Sequence, residues 1–186
     1  MEKDEDLDHI VDCARRGQRN AWAELYARFG QRIFGLAYHL LASQENAADA
    51  LSEIFLRLPR SIAQYDGRVP LEKWLMPLAA HYCIDRLRRR RREKLLFEAL
   101  DEPVEGVAAE TRSVLEEMLT NERKSTVQAA IRALPERHRV PLVLRYYGDF
   151  SYEQIAERLG IDRVHVGVLL FRAKTELRKR LAEGQS

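Results

Sequence analysis

Apolar positions recur along most of this chain at three- and four-residue spacing, the rhythm of helices with one buried face. Leu7, Ile10, Val11 and Ala14 predict a short amphipathic helix stopped near Gly17. Asn20 is a candidate cap for a longer one, whose stripe holds Trp22, Leu25, Tyr26, Phe29, Ile33, Leu36, Ala37 and Leu40. A third helix runs from about Asn46 through Ala47, Ala50, Leu51, Ile54, Phe55 and Leu58 to Pro59. Asp49 and Glu53, four apart, are neighbours on its polar flank, which taken alone is only a solvated face. Residues 61–70 contain Asp66, Gly67 and Pro70 and predict a loop. Trp74, Leu75, Leu78, Ala79, Tyr82, Ile84 and Leu87 then build a helix that leads into a run of arginines. Pro77 sets its start near Leu75 or kinks it, because proline inside a helix removes a hydrogen bond at a cost of about 3 kcal/mol.

The segment DEPVEGVAA, residues 101–109, has no periodicity and reads as a linker. Ser113 and Glu116 make a capping box that opens a helix through Leu115, Met118 and Leu119 to Leu134, before Pro135. Val140, Leu142, Val143, Leu144, Tyr146 and Tyr147 suit a strand by propensity alone. In a helical chain they predict a helix with Pro141 in its first turn, ending at Gly148.

Ser151–Lys174, SYEQIAERLGIDRVHVGVLLFRAK, carries the sharpest local signals. Ser151 and Gln154 form a second capping box, and Ile155, Ala156 and Leu159 are the stripe of a short helix. Gly160 suits the left-handed helix end, and Asp162 suits the cap of a following helix with Val166, Leu169, Leu170, Ala173 and Leu177 inward. Helix, glycine-bearing turn and helix is the helix-turn-helix plan, although a plain helical hairpin fits this stretch equally well.

Charge separates the two. Lys and Arg number 31 against 29 Asp and Glu, a formal net charge of only +2, so the distribution matters more than the sum. Arg86, Arg88–Arg92 and Lys94 crowd into one run, and Arg172, Lys174, Arg178, Lys179 and Arg180 form a second basic group. Acidic residues from Glu98 to Glu122 lie between them. Two basic patches with an acidic strap fit polyanion contact at two separated surfaces. Cys13 and Cys83 have neither CxxC spacing nor a histidine pattern, and fit reduced thiols. The acidic start MEKDEDLDH is unlike a signal peptide, and no apolar run approaches the ~20 residues that span a bilayer. A cytoplasmic protein is expected. There is no Gly-rich phosphate loop, no histidine-metal spacing and no nucleophile beside a base, so no enzyme, cofactor or metal is expected.

Taken in order, the segments AWAELYARFGQRIFGLAYHLL, NAADALSEIFLRL, YDGRVPLEKWL, IDRLRRRRR, ALPERHRVPLVLRYYGDFSYEQIAERLGI and LLFRAKTELRKRL resemble a bacterial RNA polymerase sigma factor of the extracytoplasmic-function (ECF) type. The resemblance covers nearly the whole chain and implies an all-α protein of two small domains. Residues 1–97 would be region 2, 98–112 an acidic linker threading into the polymerase, and 113–186 region 4. It implies core RNA polymerase as partner (clamp of the largest subunit, flap of the second-largest), promoter DNA, and an anti-sigma factor that occludes both domains.

By the same resemblance Asp49, Leu51, Glu53, Ile54 and Phe55 match the clamp-gripping helix, and an acidic, partly apolar face suits a basic partner. Tyr65, Asp66, Gly67 and Arg68 match the loop that receives a base flipped from the −10 element; Trp74 reads as core. His81 lies on the strand-opening helix, and Arg86, Arg88, Arg89 and Arg90 suit phosphates, which position without specifying sequence. Taking Val166, Leu170 and Ala173 as the inward face, Arg163, Val164, His165, Gly167, Val168, Phe171, Arg172 and Lys174 are the −35 candidates.

The chain departs from the family pattern in three helices. The recognition helix commonly carries Thr-Val-Lys-Ser-Arg where this chain has His165, Val166, Gly167, Val168 and Leu169. Apolar side chains there touch thymine methyls, read DNA shape, or bind a protein. Ala48 and Ser52 replace the usual Glu and Gln of the clamp helix, and Pro77, Ala80 and His81 replace polar residues and Asn of the strand-opening helix. A sigma-like regulator without −35 readout is the alternative reading, and a DNA-processing enzyme using the arginine run a more distant one.

Overall fold

The computed structural model describes residues 2–99 and 122–183, and every regular element among them is helical. The helices are α1 (Glu2–Arg15), α2 (Arg19–Leu41), α3 (Gln44–Ser61), α4 (Leu71–Ala99), α5 (Glu122–Arg132), α6 (Glu136–Tyr146), α7 (Tyr152–Leu159) and α8 (Arg163–Glu183). A 3-10 turn, Ile62–Gln64, follows α3. The expected linker and the Ser113 capping box lie outside the described residues.

Local chemistry explains most helix ends. Gly17 takes φ 78 after α1, which costs glycine nothing. Asn20 is not the cap of α2; Gln18 is, without a side-chain bond. Ser43 accepts from the Asn46 amide and starts α3 two residues before the expected point. That helix continues through Pro59 to Ser61, with the flanking Leu58 and Ile62 both buried.

Two prolines fall differently from expectation. The fourth helix starts at Leu71, directly after Pro70, and runs through Pro77 without ending. Pro141 is not in the first turn of α6 either, since that helix begins at Glu136 behind Pro135. In both, burial of the surrounding apolar face outweighs the proline penalty of about 3 kcal/mol. Ala79, Ala80 and Cys83 beyond Pro77, and Val140, Leu142 and Leu144 around Pro141, are all buried.

Helices α1–α4 form the first module. Ile33, Leu36, Ala37 and Leu40 of α2 pack on Ala47, Ala50, Leu51 and Ile54 of α3 and on Met76, Ala79, Ala80 and Cys83 of α4. A second cluster, with Ile10, Val11, Leu25, Leu58, Ile62, Tyr65, Leu71 and Leu75, ties α1 and the 3-10 turn to the start of α4. Full burial of each leucine or isoleucine stabilises by about 1.5–3 kcal/mol. Helices α5–α8 form the second module around Leu134, Leu142, Val143, Leu144, Phe150, Ile155, Val166, Leu170 and Ala173. His138 clips α6 to α8 through its Nδ1, 3.0 Å from Glu176 Oε2. The Arg180 bond first, and then this one, lowers the Glu176 pKa.

The two modules also share one apolar cluster, so they are docked rather than separate.

Candidate nucleic-acid interface

The helix-turn-helix forms as its sequence requires. Both halves of the Ser151–Gln154 capping box are present, and Gly160 ends α7 at φ 68. Asp162 Oδ1 accepts the His165 amide at 2.7 Å and so caps α8. Val166, Leu170 and Ala173 are buried, as their spacing demands, while Leu169 and Leu177 are half-buried. The opposite face is therefore open: Val164 is 78% exposed, Phe171 70% and Val168 41%. His165 and Arg172 are exposed beside them, and Lys174 lies over the Tyr146 ring at 5.1 Å. Arg163 is exposed but pairs with Glu153 at 2.9 Å. Gly167 is half-buried, and a Cβ there would meet only Tyr152, at 3.8 Å. The outer face of α8 thus offers aliphatic and aromatic surface within a basic frame, with few hydrogen-bond donors at its centre.

The first module brings the other candidates to α3, α4 and the loop between them. Asp49 is exposed, and Glu53 and Phe55 are half-buried, but Leu51 and Ile54 belong to the core. Those two cannot touch a partner, which corrects their expected place in a docking face. Leu56, 72% exposed, stands on the same side as Asp49, Ser52 and Glu53 at helical spacing. Sequence reading passed over it because Leu56 falls off the apolar stripe of α3, and a single off-stripe leucine is by itself no sign of docking.

The loop divides in the same way. Tyr65 is 6% exposed, its ring 5.4 Å from that of Trp74 and its hydroxyl donating to the Val69 carbonyl at 2.7 Å. Its ring is core, not an open platform for a base, and Trp74 packs half-buried beside it. Asp66, Gly67 and Arg68 are exposed; the Asp66 carboxylate accepts the Arg68 amide at 3.1 Å and Gly67 takes φ 75.

Along α4, Arg86 is held by Asn46 at 2.8 Å and Asp49 at 3.2 Å, so it braces α3 against α4 rather than reaching out. Arg89 and Arg90 are exposed and make no ion pair among the described residues. A groove of about 550 Å³ between α3 and α4 gathers Arg57, Tyr82, Arg86, Arg89 and Arg90, with Arg57 stacked 5.0 Å over Tyr82. Guanidinium groups around an aromatic ring fit a nucleic-acid strand, whose phosphates and bases each find a partner.

His81 and Arg88 are not free. The His81 Nε2 lies 3.1 Å from Asp85, and its Nδ1 accepts from the Arg158 guanidinium of α7. Arg88 donates to the Arg158 carbonyl at 2.6 Å. The helix-turn-helix module thus leans against the flank of α4.

Fold and surface define an all-helical nucleic-acid-binding protein of two modules, the second a helix-turn-helix. Comparison with known proteins goes further. The family model for Sigma-70 region 2 matches residues 25–93, and that for Sigma-70, region 4 matches residues 124–177. The ECF RNA polymerase sigma factor SigE of Mycolicibacterium smegmatis is 32% identical over 166 residues, 89% of this chain and 63% of that protein. The chain therefore spans less than two thirds of that relative's length. SigW of Bacillus subtilis, another ECF sigma factor, is 27% identical over 179 residues, 93% of this chain and 95% of that protein. Among solved structures, the sigma factor RpoE of Bartonella quintana, in complex with the anti-sigma factor NepR, has the same fold. Its TM-score is 0.57 at 18% identity, over 86% of this chain and 95% of that one. CnrH, solved with the cytosolic domain of CnrY, gives 0.54 at 18% identity, over 95% and 97%. The chain belongs to the sigma-70 family, in its ECF branch.

Proposed function

We propose that this protein is a transcription initiation factor that binds core RNA polymerase, directs it to promoters with −10 and −35 elements, and aids their melting. The observation that carries this is the order of parts on one chain: region 2 over 25–93, then region 4 over 124–177, whose α8 presents an open outer face. Asp49, Ser52, Glu53 and Leu56 form the face offered to the polymerase clamp, acidic around one apolar side chain. Asp66, Gly67 and Arg68, with Arg89 and Arg90, face the −10 strand, and Val164, Val168, Phe171, Arg172 and Lys174 face the −35 duplex. Melting draws on the binding energy of an unstacked base and needs no covalent step, so the protein is not an enzyme. It works in the cytoplasm, where its polymerase is. Among the described residues no helix is long and apolar enough to cross a membrane. An anti-sigma factor is its expected regulator, as the solved complexes of RpoE with NepR and of CnrH with CnrY illustrate for those proteins.

The test is transcription in vitro with purified core polymerase on fragmented genomic template, with the 5′ ends of the transcripts sequenced. Discrete start sites that share two upstream elements are expected. One observation favours a second reading, a sigma-like regulator without −35 readout: the exposed face of α8 is apolar at Val164, Val168 and Phe171. Polymerase binding with no start sites would select it.

A further inference from the structure

The two carboxylates on the α3 docking face are both held from α4. Asp49 is exposed and Glu53 half-buried, one turn apart. Arg86 of α4 donates through a single nitrogen, Nη2, to Asp49 Oδ2 at 3.2 Å and to Asn46 Oδ1 at 2.8 Å. Asp49 Oδ1 makes no hydrogen bond among the described residues and is left to a partner. Glu53 is held less directly. Arg57 bonds its Oε2 at 3.2 Å, and the Arg57 guanidinium lies 5.0 Å over the ring of Tyr82, again from α4. Desolvation lowers the Arg86 pKa, but its bonds to Asp49 and Tyr82 outweigh that, so the guanidinium stays charged and bound.

Tyr82 and Arg86 are four residues apart, as are Asp49 and Glu53, so one face of α4 meets the docking face of α3 in antiparallel register. A depression of about 420 Å³ lies between the two rows, with Asp49, Ser52 and Glu53 on one wall and Tyr82, Arg86 and Arg89 on the other. Arg89 makes no ion pair among the described residues and is left for a phosphate.

We infer that Arg86, and Tyr82 through Arg57, are positioning residues for polymerase docking: they preset the Asp49 and Glu53 carboxylates, and Arg86 is not a promoter contact. The inference rests on the function proposed above, which makes α3 the docking face. The gain lies in preorganisation. A carboxylate on an open helix face is immobilised when a partner closes on it, and one already fixed through a single oxygen has less freedom to lose. Charge alone argues the other way. A cation beside Asp49 weakens the field that draws in a basic surface, so on Coulombic grounds Arg86→Ala binds polymerase more tightly. A promoter contact, by contrast, leaves polymerase affinity untouched and weakens only DNA binding. The three roles differ in the sign of one measurement.

That measurement is a titration of core polymerase, without DNA, into the full-length chain carrying a fluorophore on Cys13; Cys83 is buried and stays unlabelled. Arg86→Ala is expected to bind about fivefold more weakly. Arg86→Lys still reaches Asp49 but lacks the planar fork, and is expected to recover part of the loss. Tyr82→Leu removes the ring under Arg57 and is expected to weaken binding in the same direction. Double-mutant cycles assign the cause: Arg86→Ala adds no loss beside Asp49→Ala, and Tyr82→Leu loses most of its effect beside Glu53→Ala. A chain weakened in its fold would lose affinity in every background, so additive losses overturn the inference. Unchanged or tighter polymerase binding by Arg86→Ala overturns it as well, while binding of the unaltered chain leaves the proposed function standing. Arg86→Lys and the Tyr82→Leu cycle decide the matter if Arg86→Ala does not fold. If the unaltered chain binds no polymerase, that function falls and the inference with it.

Discussion

Arg139 of α6 donates from its Nη2 to the Leu40 carbonyl of α2 at 3.3 Å, joining residues 99 apart in the chain. Its Nη1 bonds the Leu134 and Arg132 carbonyls at 3.1 and 3.3 Å, so one guanidinium fork closes the end of α5 and the seam between the modules together. The side chain is 8% exposed, and burial lowers its pKa although Glu136 opposes this. Arg139→Ala leaves three carbonyls without their donor and is expected to cost about 2–3 kcal/mol. Urea denaturation followed by circular dichroism measures it, and an unchanged midpoint would show that water replaces the fork. Arg139→Lys recovers only part of the loss, because an ammonium cannot reproduce the planar fork.

On α3, neighbouring apolar residues have opposite fates. Ile54→Ala empties a core position that is 1% exposed and is expected to lower stability by about 2–4 kcal/mol. Leu56→Ala, at 72% exposure, should leave stability within about 0.5 kcal/mol and instead weaken binding to core polymerase. Thermal melts and a polymerase pull-down separate the two, and equal polymerase affinity in Leu56→Ala and the unaltered chain would remove Leu56 from the docking face.

Under the proposed −35 role, the outer face of α8 makes an unusual demand on DNA. Val164, Val168 and Phe171 have no hydrogen bond to offer a base edge, so methyl groups are what they can recognise. Replacing thymine by deoxyuridine in the −35 element removes only those methyls. Affinity of the polymerase complex is expected to fall by about 1 kcal/mol for each methyl contacted. Footprinting titrations read it, and indifference to the replacement would point to DNA shape or the sigma-like regulator.

His39 gives the seam a pH dependence. It is 1% exposed, its Nδ1 has no hydrogen-bond partner among the described residues, and desolvation lowers its pKa. The rings of Tyr38 and Tyr147 pack against it, with centroids 5.7 and 4.5 Å away. A histidine depressed in the docked state binds its proton more tightly when exposed. Docking is therefore favoured above the ordinary histidine value of about 6.5 and weakens as pH falls below it. Small-angle scattering between pH 7.5 and 5.5 should show the chain expanding, less so in His39→Gln. A constant radius in both proteins would exclude His39 as the source.

Much of this protein is legible locally. Capping boxes, glycines in left-handed turns and three-four spacing are short-range signals, and they specify α7, α8 and the open face of α8 without reference to the rest of the chain. The order of the six resembling segments likewise identified both modules. Boundaries at proline were less legible: Pro77 and Pro141 penalise a helix locally, and only packing outweighs them.

Periodicity in the sequence determined that α3 has an apolar stripe, and the loss of it that Tyr65 stands in the loop that follows. Tertiary structure alone decided that the Tyr65 ring faces inward and that Leu56 stands open beside Asp49 and Glu53. It also decided that Arg86 braces α3 and that Arg139 and Arg158 bind the modules together. The reason is physical. Spacing says which residues share a face, but which face is buried depends on the helix that covers it, and a contact across 99 residues leaves no mark on the local pattern.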